Sequence, residues 1–292
     1  MIRSMTGYGR GEWSASQRKF TVEIRSVNHR YGDLNIKLPK TMTFLEENIR
    51  DYVKAKVSRG KVDIYVGFES HSKEDIELKL NTALADIYKE KLEEIQQRYL
   101  LSDGVTLSLI AKFPDVITVE QTIGNEEWLW SLLKPALDHA LDEFMNMRET
   151  EGTILKNNIL QKLQVMQKLL EKMKKQSPMV IMEYKQKLES RLKELLHDEE
   201  IDSNRFAMEI ALFADRCSID EEIVRLESHI VQMNDILSVG NVVGRKLDFL
   251  TQEMNREANT IASKANDIEI TKAAIELKNE IEKIREQIQN IE

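Results

Sequence analysis

Two hydrophobic rhythms divide the chain. In its first part, apolar residues recur at every second position: Phe20, Val22 and Ile24, then Leu34, Ile36 and Leu38, then Val62, Ile64, Val66 and Phe68. Thr21, Glu23 and Arg25, or Asp63 and Tyr65, fill the alternate places. Period two predicts half-buried antiparallel strands. Helices are predicted over about 42–58 and 82–99, and Pro114 interrupts the apolar run 105–120. Beyond Glu126 the alternation stops and the pattern turns helical. Residues 128–177 read as helix with Pro135 as an interior breaker. Ser177-Pro178 predicts a turn, with a second helix over about 179–198. A further helix starts at Asp202-Ser203. Ser218-Ile219-Asp220-Glu221 fits a capping box, and the helix it opens should end at Gly240. One more helix follows Gly244, and a last one fills about 266–290. There Ile270, Ala274, Leu277, Ile281, Ile284, Ile288 and Ile291 alternate spacings of four and three, a heptad seam. Such a seam fits an intrachain bundle or a subunit contact equally well.

The fold class expected is α+β. An N-terminal antiparallel-sheet α+β domain (1–155) is followed by a long helical arm (156–204) and an all-α C-terminal helical domain (205–292). The 292 residues, 41% hydrophobic, can bury a real core, which excludes disorder by composition. There is no apolar run of about 18 residues to span a membrane and no apolar leader core after Met1. The single cysteine, Cys217, excludes an intrachain disulfide and a cysteine-based zinc site. A reducing, cytoplasmic compartment is expected.

A net charge of −8 argues at first against a polyanionic partner. The average hides a gradient. Residues 1–60 hold 12 Lys and Arg against 6 Asp and Glu, a net of +6. Residues 61–150 hold 9 against 18, a net of −9, and the remainder 21 against 26, a net of −5. The basic front contains Arg25-Ser26-Val27-Asn28-His29-Arg30-Tyr31 at a strand end. Arg25, His29, Arg30 and Tyr31 there could neutralise phosphates and stack on a base. A hairpin with basic, aggregation-blocking edges is the plainer explanation.

No phosphate loop, dinucleotide fingerprint, HExxH or GxSxG is present. Gly7-Tyr8-Gly9-Arg10-Gly11 opens a strand and reads as a flexible basic edge. In the helix after Ser218, the buried stripe Ile219, Ile223, Leu226, Ile230, Met233 and Leu237 is flanked by Glu222, Arg225, His229 and Gln232. A carboxylate, a guanidinium and an imidazole on one flank could hold a metal, orient a phosphate and move a proton. A solvated row of ion pairs is the commoner use of such a flank. In the next helix Glu253 and Glu257, four apart, could ligate Mg²⁺ or Mn²⁺ through oxygen. Arg245, Asp248, Asn255 and Arg256 lie near them in sequence.

Several longer motifs carry a resemblance. Met5-Thr6-Gly7-Tyr8-Gly9-Arg10, Glu23-Ile24-Arg25-Ser26-Val27-Asn28-His29-Arg30 and Glu151-Gly152 lie in the first half. Asp215-Arg216-Cys217-Ser218-Ile219-Asp220-Glu221-Glu222, Arg225-Leu226-Glu227-Ser228-His229, Gly244-Arg245-Lys246-Leu247-Asp248-Phe249-Leu250 and Gln252-Glu253-Met254-Asn255-Arg256-Glu257-Ala258-Asn259-Thr260 follow. Ser263-Lys264 and Arg285-Glu286-Gln287-Ile288-Gln289-Asn290-Ile291-Glu292 complete the set. In this order they resemble the bacterial YicC/YloC family over the whole chain.

The resemblance implies a cytoplasmic endoribonuclease that uses a divalent metal. It also implies a homo-oligomer, most readily a hexamer built through the helical half, and partnership with RNA-decay proteins such as polynucleotide phosphorylase. The resemblance assigns no roles to single residues; from the polar flanks themselves, Glu222, His229, Glu253 and Glu257 are expected to form the catalytic and metal cluster around Mg²⁺ or Mn²⁺. Arg225, Arg245 and Arg256 clamp phosphate, while Arg25, His29, Arg30 and Tyr31 guide RNA. At least three of the cluster groups must then converge within about 8 Å. A non-catalytic RNA-binding adaptor or scaffold is the alternative from a different class.

Overall fold

β1 (Gly7–Ala15) and β2 (Arg18–Val27) form an antiparallel hairpin, and β3 (Asp33–Lys37) follows. A 3₁₀ segment over Lys40–Leu45 leads into α1 (Glu46–Lys54), and β4 (Lys61–Ser70) returns to the sheet. This order and all that follows come from a computed structural model. It describes residues 2–29, 32–57, 60–100, 102, 104–121, 124–196, 202–240 and 243–292. The strands lie in the order β1-β2-β4-β3. Against expectation the sheet is mixed, since β3 runs parallel to β4. The helical connection through α1 carries the chain back to start β4 in the same direction as β3, which a tight hairpin cannot do.

β5 (Ile76–Leu80), α2 (Thr82–Tyr99), α3 (Leu107–Ile110) and β6 (Ile117–Gln121) follow, with β5 and β6 paired in a small antiparallel sheet. Then α4 runs from Glu126 to Leu196 without a break, roughly 105 Å at 1.5 Å per residue. The turn expected at Ser177-Pro178 is absent, and Pro135 also lies within the helix. A proline forfeits one backbone hydrogen bond. Packing on both sides outweighs that loss: Leu133, Ala136 and Leu137 are buried beside Pro135, and Met173 and Val180 near Pro178.

Two cores sit along this spine. The first holds Phe20, Val22, Ile24, Val62 and Ile64 of the sheet against Leu133, Leu137, Leu141 and Phe144 of α4. The second gathers Ile159 to Val180 of α4 with α6 (Asp220–Val239), α7 (Gly244–Lys264) and α8 (Ile268–Ile288). All seven residues of the heptad seam lie buried in this second core, which settles that seam as an intrachain one. α5 (Ser203–Cys217) buries no residue. The capping box read at Ser218 does not form, because Ser218 closes α5 and Ile219 is the N-cap of α6. Asp220, Glu221 and Glu222 in the first turn of α6 complement its positive end instead.

Residues 3–5 and 290–292 are zipped together about a third of the way along α4, at Arg148 to Gly152. Ser4 bridges Ile291, Met5 N–H donates to the Asn290 carbonyl at 2.8 Å, and Glu292 N–H to the Arg3 carbonyl at 2.9 Å. Arg148, only 1% exposed, donates from Nε to the Ser4 carbonyl at 2.5 Å and forms an ion pair with Glu292. Gly152 is obligatory here, since a Cβ would stand 2.3 Å from the Ile2 carbonyl oxygen. The clamp sets the end of the β1–β2 hairpin against α7 and α8.

At the other end of the hairpin, Arg18 and Asp75 form a buried two-toothed pair at 2.5 and 2.6 Å, with Arg18 stacked on Trp128. Hydrogen bonding by Arg18, aided by the Ser70 hydroxyl, holds the Asp75 carboxyl below its ordinary value despite burial. A carboxylate with a depressed folded pKa contributes stability above its unfolded pKa, near 3.9, and loses it as pH falls through the folded value. Thermal melts from pH 6 to pH 2 are expected to show a drop below about pH 4 that is smaller in Asp75→Asn. That variant leaves the buried guanidinium with only the exposed Glu74 carboxylate, at 3.5 Å, and should cost about 3 kcal/mol at neutral pH.

Candidate functional site

α6 and α7 are joined by a short connection and lie antiparallel. Lys264 donates to Glu222 Oε1 at 2.8 Å, and Arg225 meets Glu257 Oε1 at 3.5 Å. The same register sets His229 level with Glu253. The flanks that the sequence shows separately therefore face each other as one polar seam beside the second core. Its carboxylates all carry cations: Glu222 pairs with Lys264, Glu257 with Arg225, and Glu253 with Arg256 at 3.1 Å. Two of these carboxylates are deeply placed, Glu222 with 8% and Glu257 with 12% of the side chain exposed. His229 is half-buried, and its Nδ1 is buried without a hydrogen-bond partner. Glu222 Oε2 is likewise buried and unpartnered.

The test set for a metal site is not met within one chain. Among the described residues no three His, Cys, Asp or Glu side chains form a group that could hold a metal ion. Each carboxylate of the proposed cluster is already neutralised by Lys or Arg, which a divalent cation would have to displace. The donor set of a single chain thus does not fit Mg²⁺ or Mn²⁺.

A cleft of about 390 Å³ opens where the clamp brings the two halves together. Met5 and Asn28 from the β1–β2 end line it, with Gly244, Arg245 and Asp248 from α7 and Arg285 and Gln289 from α8. Arg245 is exposed and pairs with no carboxylate among the described residues. Arg285 reaches Glu282 at 3.6 Å through one amino group, while its Nε is buried and unpartnered. Asp248 is held by Gln252 at 3.0 Å. The N-cap of α7, Val243, offers no side-chain cap, so the first N–H groups of that helix add a fixed positive end to the same cleft. Two arginines and a helix N-terminus form a surface that suits an anion, edged by Asn28, whose amide donates to Asn290 Oδ1 at 3.3 Å.

The structure thus joins Arg245 to the strand-end patch, 217 positions away in sequence. Of that patch, Arg25 points to the solvent face of the sheet and pairs with Glu23 at 2.9 Å, and His29 is exposed. Arg30 and Tyr31 lie outside the described residues. Arg285 and Lys264 were not among the site residues read from sequence. Both stand inside the quoted motifs, but only the packing of α8 and α7 shows which way they face.

The whole chain can be compared with known proteins. The family profile described as "Endoribonuclease YicC-like, N-terminal region" matches residues 2–157, and "Endoribonuclease YicC-like, C-terminal" matches residues 173–292. This chain belongs to the YicC-like family. A protein of Clostridioides difficile named "Probable endoribonuclease YicC" is 45% identical over 293 aligned positions, covering all of both chains. A protein of Haemophilus influenzae with the same name is 34% identical, again over the full length of both. The YicC-like matches cover both the cleft and the seam. Among the described residues, no helix is long and apolar enough to cross a membrane.

Proposed function

We propose that this chain is an endoribonuclease that holds the RNA backbone in the cleft of Arg245 and Arg285 and cuts it beside the α6–α7 seam. The observation that carries the reading is the meeting of two arginines, one of them unpaired, with the open N-terminus of α7 and Asn28. The names of full-length relatives support the activity. His229 is the proton-transfer group of this reading, since it alone of the four cluster residues is not tied into an ion pair. Glu253, level with it, lies eight residues along α7 from Arg245, about 12 Å by helical rise.

Arg225 and Arg256 hold the seam carboxylates in place and become phosphate ligands only where RNA displaces those partners. Any Mg²⁺ or Mn²⁺ site would take ligands from more than one copy of the chain, and a homo-oligomer such as a hexamer would bring such copies together. Exposed apolar side chains on β5 and β6 support assembly: Leu78 is 66% and Val119 65% exposed.

The test is to incubate end-labelled RNA with wild type and with His229→Gln, each with and without EDTA. Wild type is expected to release internal fragments. His229→Gln should cut at least about 100-fold more slowly with RNA affinity unchanged. Intact RNA in every wild-type arm, with or without added Mg²⁺ or Mn²⁺, overturns the proposal and favours the adaptor. Cleavage by His229→Gln at the wild-type rate removes the imidazole from the chemistry, and a wild-type rate that EDTA leaves unchanged removes the metal.

A further inference from the structure

The four-stranded sheet has one face covered by α4 and one face open. Register fixes which residues share the open face. Tyr8 stands opposite Arg25, and Arg25 opposite Asp63. One row along, Glu23 stands opposite Tyr65, and Tyr65 opposite Lys37. The two tyrosines are 37% and 38% exposed, and the Arg25 side chain 60%. Arg25 lies between the rings, with its guanidinium carbon 5.5 Å from the centre of Tyr8 and 6.0 Å from that of Tyr65. Glu23 grips the guanidinium edge at 2.9 Å. Lys37 reaches Tyr65 from the neighbouring strand, with its Nζ 4.8 Å from the ring centre.

The two rings pack against Arg25 and Lys37 and still keep more than a third of their area in solvent. A soluble sheet usually gives such positions to polar groups, as this one does with Thr21, Glu23 and Asp63. Rings interleaved with cations make a surface for planar, electron-rich groups carried on a polyanion, which is the chemistry of a single-stranded nucleic acid. A duplex hides its base faces and cannot use the rings. The rings lie two strands and two residues apart, a diagonal of roughly 12 Å, so each would take a separate base. Placement adds a second line of argument. Tyr8 lies three residues from Met5 and Arg25 three from Asn28, and Met5 and Asn28 line the arginine cleft. The rings therefore begin about 10 Å from that cleft along the same strands.

We propose that the open face of the sheet is a stacking platform for single-stranded RNA, with Tyr8 and Tyr65 each taking a base while the adjoining cleft holds the backbone. The platform rests on the endoribonuclease reading and narrows it, because it selects unpaired RNA before cleavage. Arg25 positions the rings, and Lys37 supplies a phosphate contact at the far edge.

Fluorescence anisotropy on ice tests it, with a labelled unstructured 12-nucleotide RNA and a blunt RNA duplex of matched length, and with substrate integrity checked on gels. The proteins are wild type, Tyr8→Ala, Tyr65→Ala, the two corresponding Phe variants and Lys37→Ala. Each Tyr→Ala variant is expected to weaken single-strand binding roughly tenfold and leave duplex binding unchanged. The Phe variants should retain wild-type affinity. Stacking releases no counterions, so the Tyr→Ala variants should keep the wild-type salt slope, while Lys37→Ala lowers it by about 0.7. Thermal melts of each variant confirm folding. Both Tyr→Ala variants binding single strands within twofold of wild type overturns the platform, as do equal losses for duplex and single strand. Wild type that binds but never cuts defeats the nuclease reading and leaves the platform standing. Cleavage with unchanged Tyr→Ala binding defeats only the platform, and a wild type that binds no single strand defeats both.

Discussion

A single methyl group at position 9 is expected to destabilise this protein by more than about 3 kcal/mol. Gly9 lies on the inner face of β1, where α4 crosses. A Cβ there would stand 2.1 Å from the Ala140 carbonyl oxygen and 2.5 Å from the Phe144 nitrogen. Both atoms belong to helix backbone, so neither can rotate away as a side chain would. Gly11 meets the Ala136 carbonyl oxygen at 2.0 Å, and Gly7 the Phe144 ring and Arg148. The alternate glycines therefore let helix and strand lie in direct backbone contact. To admit Gly9→Ala, α4 must lift off the sheet, and Leu137, Leu141 and Phe144 lose burial with it. Gly67→Ala is the control. It lies on the same sheet, but its nearest atom is the Thr21 carbonyl oxygen at 3.7 Å, an ordinary contact. Calorimetry should show Gly9→Ala melting about 5 °C or more below wild type, with Gly67→Ala close to it. A Gly9→Ala melt within about 1 °C of wild type would contradict the packing described.

These glycines also mark where sequence pattern stops being enough. Their spacing reads as a loose basic edge, because a glycine shows no apolar side chain and its close approach is visible only once α4 lies on it. The strands and most helices follow from periodicity: Phe20, Val22 and Ile24 point inward as the alternation requires, and the Ile270–Ile291 seam is buried as a heptad should be. The parallel pairing of β3 and the continuity of α4 through Pro178 do not follow from it. Both are decided by long-range packing that outweighs local preference. The same holds for the site. The flanks of α6 and α7 are legible as polar rows, but their pairing, Glu222 with Lys264 and Glu257 with Arg225, depends on helix register. Arg285 reads as one charge among many on α8. The packing of α7 against α8 sets it beside Arg245, and the clamp at Arg148 brings Asn28 to both.

The second large effect is expected at the cleft. Arg245 and Arg285 approach the same space from two helices, and neither has its full set of donors satisfied within the chain. A phosphate oxygen accepts charge-assisted hydrogen bonds worth about 1.5–3 kcal/mol each, and screening at this open surface holds the yield near the lower figure. Replacing either arginine by alanine should then weaken RNA binding about tenfold, and replacing both about 100-fold. The double variant should show a salt slope shallower by about 1.4 if each arginine neutralises one phosphate of a single strand. Lysine at either position keeps the charge but not the two-toothed geometry, and should recover only part of the loss. Stability should change little, since Arg245 pairs with no carboxylate among the described residues and Arg285 holds only a peripheral contact to Glu282.

Cleavage of an end-labelled RNA by wild type and by the Arg245→Ala, Arg285→Ala double variant, followed across RNA concentration, bears on all of this at once. Wild type is predicted to give internal fragments. The double variant is predicted to cut about 100-fold less efficiently at low RNA concentration and to approach the wild-type rate as RNA saturates it, since the cleft binds the backbone and the seam does the cutting. Wild type that leaves the RNA whole, or a double variant that cuts at the wild-type rate at every concentration, would contradict it.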